Sequence, residues 1–351
     1  MIKYLKPWRE LPKDELTIRV ADQMRREFGA FVDPLAMHAA VPAILAAAWS
    51  SLRETMLAGR VRRGLKEAVA AVVSQCNQCP FCLDAHTIML HASGSAGPAL
   101  ALRRGEKNPF SDPREKAFAE WAAATCTPGH PALSRPPFDA REAPEVIGTA
   151  FCLHYINRVA HALLSDSPVP NSFSPLKRLT LWLSGYYFAS SVRAKHQRGD
   201  SLSLLPKAAP AAGLEWAEPA PAIHQALSAL LEAIEDASQA YLDAQSKQRV
   251  LNAIEEWRGE DMPLGSQWID QALDGLGQDS RPAARMALLA ALASYRIGQD
   301  EVAAFRTRWP AGPGLVSVLA WGSLQAARRL TSWVEEGFRK DETLGLTGFT
   351  G

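Results

Sequence analysis

The chain has 351 residues, of which 38 are basic, 37 acidic and five cysteine. That length allows two domains of ordinary size, or one large one with a substantial core. Charges that nearly cancel exclude a net field favouring nucleic acid or an anionic membrane, and five cysteines are too few for a disulfide-stapled secreted domain.

The N-terminus, MIKYLKPWRELPKDEL, is broken by Pro7 and Pro12 and carries charge where a signal peptide needs an apolar run. The longest weakly polar stretch, Val41 to Trp49, is too short to span a bilayer. A soluble, cytoplasmic protein whose partners are small molecules or other proteins is expected. Residues recur at three- and four-residue spacing with almost no two-residue alternation, so the fold class is all-α.

In chain order, helices are predicted over Ile18 to Phe28 and Pro42 to Leu57, the second with Leu45, Trp49, Leu52 and Met56 on one stripe. Leu65 to Ser74 is helical, and Asn77-Gln78 interrupts the pattern before Cys79-Pro80 restarts it, with proline at the first helical position. That helix runs to Ser93-Gly94. A loop rich in Gly, Pro and Asn leads to Asp112-Pro113, which opens a helix reaching Cys126. Further helices start near Ala143-Pro144, with Phe151, His154, Tyr155, Arg158 and His161, and at Ser174-Pro175, the latter continuing to Arg198 and stopped by Gly199. Leu204 to Pro221 turns to Pro and Ala with little periodicity and is the predicted linker. It separates a first domain, residues 1–203, from a second helical domain, residues 222–340, which has no cysteine and is expected to be a degenerate copy of the first. Within it, helices fit the Leu227 to Tyr241 stripe, Lys247 to Trp257, Gln267 to Leu276, Pro282 to Tyr295 and Val316 to Phe338.

Most of the chemistry lies in Glu67 to His91, EAVAAVVSQCNQCPFCLDAHTIMLH. Cys79 and Cys82 have the spacing of a dithiol that closes to a small disulfide, and a thiolate is favoured at a helix N-terminus. Cys82 and His86 lie one turn apart on one face, so the imidazole can take the thiol's proton, and Glu67 can fold back to orient His86. Cys76, Cys79, Cys82 and His86 also form a set of four soft ligands, but one-helix spacing puts them in a row instead of around a tetrahedron, so no metal is expected. A thioredoxin-like module needs a strand before the motif. Three buried structural cysteines are the bland alternative.

Glu67, eleven residues, Cys79-x-x-Cys82, three residues and His86, together with Val73-Ser74, Asn77 and Phe81, resemble the signature of the AhpD-like alkylhydroperoxidase and carboxymuconolactone decarboxylase superfamily. The match is tight from Glu67 to Gly94 and looser from Asp112 to Arg158. The resemblance implies an all-helical fold and, commonly, homo-oligomers. It implies that Cys82 attacks a hydroperoxide, that Cys79 gives a proton and then resolves the sulfenic acid as a disulfide, and that His86 and Glu67 relay protons. No bound cofactor is implied, and a dithiol protein would be the reductant. Alkylhydroperoxidase D relatives have a further histidine immediately before the second cysteine, where this chain has Phe81. Within the same superfamily, a lyase or decarboxylase using the His/Glu groups, and a non-catalytic binding or stress protein, are the alternatives.

His154, Arg158 and His161 share a helix face and suit either a substrate-binding wall, together with Phe81, or a partly solvated face with a structural arginine. Cys126 and Cys152 are expected as packing residues, Cys76 as a buried small residue first and a redox backup second, and His91 as a surface residue. Trp182, Tyr186 and Tyr187 suit core, interface or pocket-wall packing.

Overall fold

The computed structural model describes residues 2–168 and 174–343, with side chains for all of these except 174–179, 181–182 and 339–343. The side chain of Trp182 therefore lies outside the described residues. Among the described residues the fold is all-α, with two isolated bridges, Ile2 to Leu164 and Ala58 to His196, as the β-type pairings.

In order, the helices are α1 Glu15–Phe28, α2 Asp33–Ala36, α3 Pro42–Leu52, α4 Arg63–Cys76, α5 Pro80–Ala92, α6 Ala96–Arg103, α7 Pro113–Ala124 and α8 Ala143–Leu163. They continue as α9 Ser174–Arg193, α10 Pro221–Ser238, α11 Ala244–Glu256, α12 Gln267–Ala272, α13 Arg281–Leu292, α14 Gln299–Arg306 and α15 Gly312–Thr343. Their ends carry ordinary signals. Asp14, Asp112 and Asp243 each accept a backbone N–H bond at the start of a helix, and Gly29 closes α1 at φ 87°.

The structure adds α2 and α14, which the periodicity did not predict, and departs from it at several boundaries. The expected helix over Pro42 to Leu57 changes at Arg53 to a π-helical turn, Arg53–Leu57. There the Arg53 guanidinium is buried against Glu27 and Glu54, and a widened turn at a site of tertiary demand is a usual place for one. The loop expected after Gly94 contains α6, because Pro98 falls in its first turn, where no backbone donor is missed. The helix expected to reach Arg198 stops at Arg193. Its continuation leaves to give Arg198 to Glu145, His196 to Glu27 and the Gly199 N–H to Glu54.

α8 is buried around its circumference and organises the rest. α4 packs on it from the first half, and α13 and α15 from the second. The main apolar cluster runs from Val20 to Val334 and takes in Leu204, Leu214, Ala217 and Ala220 of the Pro/Ala-rich stretch, and a second, small one joins Ile88, Met89 and Ala92 of α5 to Val192 of α9. One buried charge cluster centres on α8. Glu145 on α8 accepts from Lys66 Nζ at 3.0 Å and from the backbone N–H groups of Arg60 and Val61 at 2.8 and 3.0 Å. Burial still holds the Lys66 ammonium down at about 8, against the pull of Glu145.

Candidate functional site

α4 and α5 form an antiparallel hairpin whose turn is Asn77-Gln78. Gln78 takes the left-handed conformation, φ 52°, which reverses the chain within two residues. The Cys79 N–H then bonds back to the Ser74 carbonyl at 3.0 Å. Cys79 is the N-cap of α5, Pro80 its first residue and Cys82 its third, so both sulfurs belong to the positive end of the helix dipole.

Cys79 and Cys82 are joined as a disulfide, with Cα atoms 5.3 Å apart and both residues buried. One turn further on, His86 Nδ1 lies 2.8 Å from Glu67 Oε2. The other carboxylate oxygen, Oε1, accepts from Arg63 Nε at 2.7 Å and Nη2 at 2.6 Å. Burial raises the Glu67 carboxyl, but Arg63 and His86 together outweigh it and hold the group ionised, below its ordinary value. An ionised acceptor at Nδ1 fixes the tautomer that bears the proton there and leaves Nε2 as the imidazole's base.

Arg63 was not among the expected site residues, although its i, i+4 spacing to Glu67 is a readable signal. Phe81 is buried in the core.

The four-ligand set does not converge. Cys79 and Cys82 hold each other and His86 holds Glu67, while Cys76 turns to the opposite side of the hairpin. There its thiol bonds that of Cys126, at the end of α7, and both residues are half-buried. Cys126 was expected to be core packing. The bond to Cys126, and then burial, push the Cys76 thiol well above its ordinary value. The same bond pulls Cys126 below its ordinary value, with help from the Arg158 charge and against burial.

Packing keeps His154 and Arg158 together on Asn77 and sets His161 apart. Asn77 Nδ2 lies 3.1 Å from His154 Nδ1, and Asn77 Oδ1 accepts from Arg158 Nη1 at 3.2 Å. His154 Nε2 meets the Thr125 hydroxyl at 2.9 Å. His154 is fully buried, and burial first, then Arg158, keep it neutral. The Arg158 guanidinium, lowered by burial to about 10, also donates to the Ala291 carbonyl and lies over the Trp257 ring. His161 sits apart, beside Tyr295. His91 is half-buried, with its ring edge-on to Tyr186. Tyr186 and Tyr187 are exposed.

Two cavities differ in character. One of about 910 Å³ lies beneath the N-terminal segment, lined by Tyr4, Leu5, Met37, Pro42 and Arg306, with no cysteine in its wall. A second, of about 70 Å³, is lined by Cys76, Asn77, Cys126 and Arg158, and by Trp257 and Gly259 from the second half.

Residues 43–124, which contain α4, α5 and α7, match the Carboxymuconolactone decarboxylase family. Over 312 residues the chain is 38% identical to an alkyl hydroperoxide reductase of Mycobacterium tuberculosis, and the similar region covers 89% of each protein. No helix among the described residues is long and apolar enough to cross a membrane.

Proposed function

Because this chain belongs to the AhpD-like superfamily of alkylhydroperoxidases and carboxymuconolactone decarboxylases, we propose that it reduces a hydroperoxide through Cys82 and Cys79. One arrangement carries the reading: a dithiol at the N-terminus of α5, with His86 one turn on and anchored to a buried, ionised Glu67. The relative named as an alkyl hydroperoxide reductase supports a hydroperoxide as the substrate class.

In the reduced protein, His86 Nε2 takes the Cys82 proton, and the helix dipole stabilises the thiolate. The thiolate attacks the peroxide oxygen and the O–O bond breaks. The alcohol leaves with the proton that His86 held, and Cys82 is a sulfenic acid. The Cys79 thiol condenses with it, forming the disulfide and releasing water. A dithiol partner restores both thiols by exchange and leaves oxidised. Overall, ROOH and a dithiol become ROH, water and a disulfide. Glu67 and Arg63 act through His86 and are positioning residues in this scheme.

The test uses cumene hydroperoxide and a dithiol reductant, with disulfides mapped by mass spectrometry after alkylation. The wild type should consume peroxide and accumulate the Cys79–Cys82 bond when the reductant is withheld. Cys79→Ser should stop at a Cys82 sulfenic acid, trapped by dimedone. If Cys82→Ser consumes the hydroperoxide as fast as the wild type, the assignment is wrong. If it instead converts an acidic substrate while His86→Ala does not, the lyase reading takes its place.

A further inference from the structure

The reaction above makes no use of the other face of the α4–α5 hairpin, where two thiols line one cavity beside a buried cation. Cys76 ends α4 and Cys126 follows α7, fifty positions away in sequence, and the packing of α4 on α7 brings their side chains together. The cavity they line is about 70 Å³. A water molecule takes up about 30 Å³ in the liquid, so hydrogen peroxide fits with little space to spare.

The wall is built for an anion on sulfur. Arg158 lines the cavity, and its charge stabilises a Cys126 thiolate, while the Cys76 S–H donates to it. Its orientation is fixed by Asn77, by the His154 and Ala291 carbonyls and by the Trp257 ring. The roof comes from the second half. Gln78 Nε2 donates to Asp261 at 3.1 Å, and Gly259, at φ 93°, presses on the Cys126 carbonyl so closely that a Cβ there would stand 2.5 Å from the oxygen.

We propose that Cys76 and Cys126 are a second redox-active dithiol, oxidised to a disulfide by hydrogen peroxide that enters this cavity. The Cys126 thiolate attacks one peroxide oxygen and the O–O bond breaks. Hydroxide leaves, takes up a solvent proton to become water, and Cys126 becomes a sulfenic acid. The Cys76 thiol displaces the second oxygen as water, and the Cys76–Cys126 bond forms. Two thiols lose two electrons, and one hydrogen peroxide becomes two waters. The inference does not rest on the chemistry assigned to Cys79 and Cys82.

The experiment treats fully reduced Cys79→Ser/Cys82→Ser protein, checked for native helicity by circular dichroism, with hydrogen peroxide or with cumene hydroperoxide. Free thiols are alkylated and disulfide-linked tryptic peptides are identified by mass spectrometry. Hydrogen peroxide should join the peptides that hold Cys76 and Cys126, with loss of two thiols per chain, and the bulkier cumene hydroperoxide should give slower loss. Cys152 is buried, its thiol pushed up to about 12 chiefly by burial, and it should stay free as the internal control. Three free thiols after hydrogen peroxide would overturn the proposal, and so would a Cys76–Cys126 bond that needs intact Cys79 and Cys82 to form. Should the double variant not fold, the same mapping on peroxide-treated wild type decides the matter, because Cys76 and Cys126 recovered unlinked refute it. Loss of cumene hydroperoxide turnover with the second bond still forming would sink the alkylhydroperoxidase reading alone.

Discussion

Two thiol pairs lie on either side of the Asn77-Gln78 turn, and what distinguishes them is the surroundings of the sulfur. Cys79 and Cys82 sit on one helix terminus with an imidazole one turn away, and a buried carboxylate fixes that imidazole. Cys76 and Cys126 come from different helices, and a buried guanidinium stands where the first pair has an acid–base relay. A relay can move a proton to a leaving alkoxide, whereas a fixed cation only holds a thiolate ready. The first environment therefore suits repeated turnover, and the second suits a slower oxidation by a small peroxide.

The largest effect should come from Cys82→Ser, which is expected to take cumene hydroperoxide consumption to the buffer rate, read as alcohol formed over time. Hydrogen peroxide should still cross-link Cys76 and Cys126 in this variant. His86→Ala removes the base alone and should slow the same assay by about 10²-fold.

Glu67→Gln comes next and sharpens the contrast, because it leaves Arg63 facing a neutral amide in a buried place. A loss of about 3 kcal/mol in urea unfolding is expected for breaking a buried ion pair. The wild-type contribution has a definite pH signature. Since the folded value is depressed, the stabilisation is full above the unfolded glutamate value of about 4.3 and fades as pH falls through the lower folded value. The variant's unfolding free energy should lack that component of acid loss, and an unchanged acid limb would mean that Glu67 is not ionised in the folded protein.

Gly259→Ala probes the other side. Its Cβ collides with the Cys126 carbonyl at a positive φ, so a loss of about 1–2 kcal/mol is expected, with the loop lifted from the second cavity. Alkylation of Cys76 and Cys126 by iodoacetamide should speed up while cumene hydroperoxide turnover stays near wild type. Equal change at both pairs would mean that the two environments are mechanically one.

The smallest effect is set for His154→Gln, whose amide can still reach Thr125 or Asn77. The imidazole is buried neutral, with its folded value depressed. Its stabilisation is therefore complete above the unfolded histidine value of about 6.5 and is lost as pH falls through the folded value. A thermal-melt series from pH 7 downward should show a shallower fall for the variant. Identical slopes would remove His154 from the list of residues that make this face acid-sensitive.

How much of this was legible in the sequence varies with distance along the chain. The Glu67–His86 bond spans nineteen residues, but it follows from two adjacent helices folding back at a two-residue turn, so pattern and resemblance together reach it. Arg63 was equally within reach, one turn before Glu67 at the spacing of a helical ion pair. Of His154, Arg158 and His161, grouped on one helix face, the first two meet on Asn77 while the third packs apart beside Tyr295. Helical phase says which residues share a face and nothing about which helix that face meets.

The sequence by itself determined most of the helices, the restart at Cys79-Pro80 and the spacing of Cys79, Cys82 and His86, since each depends on backbone geometry within one or two turns. Tertiary structure alone decided that Cys76 turns away from its neighbours toward Cys126, and that residues from the cysteine-free half roof the pair. The physical reason is that a buried thiol and a buried guanidinium take whatever partners the packing of α4, α7, α8 and the 257–261 loop supplies, and that packing is set by the whole core, which no local spacing encodes.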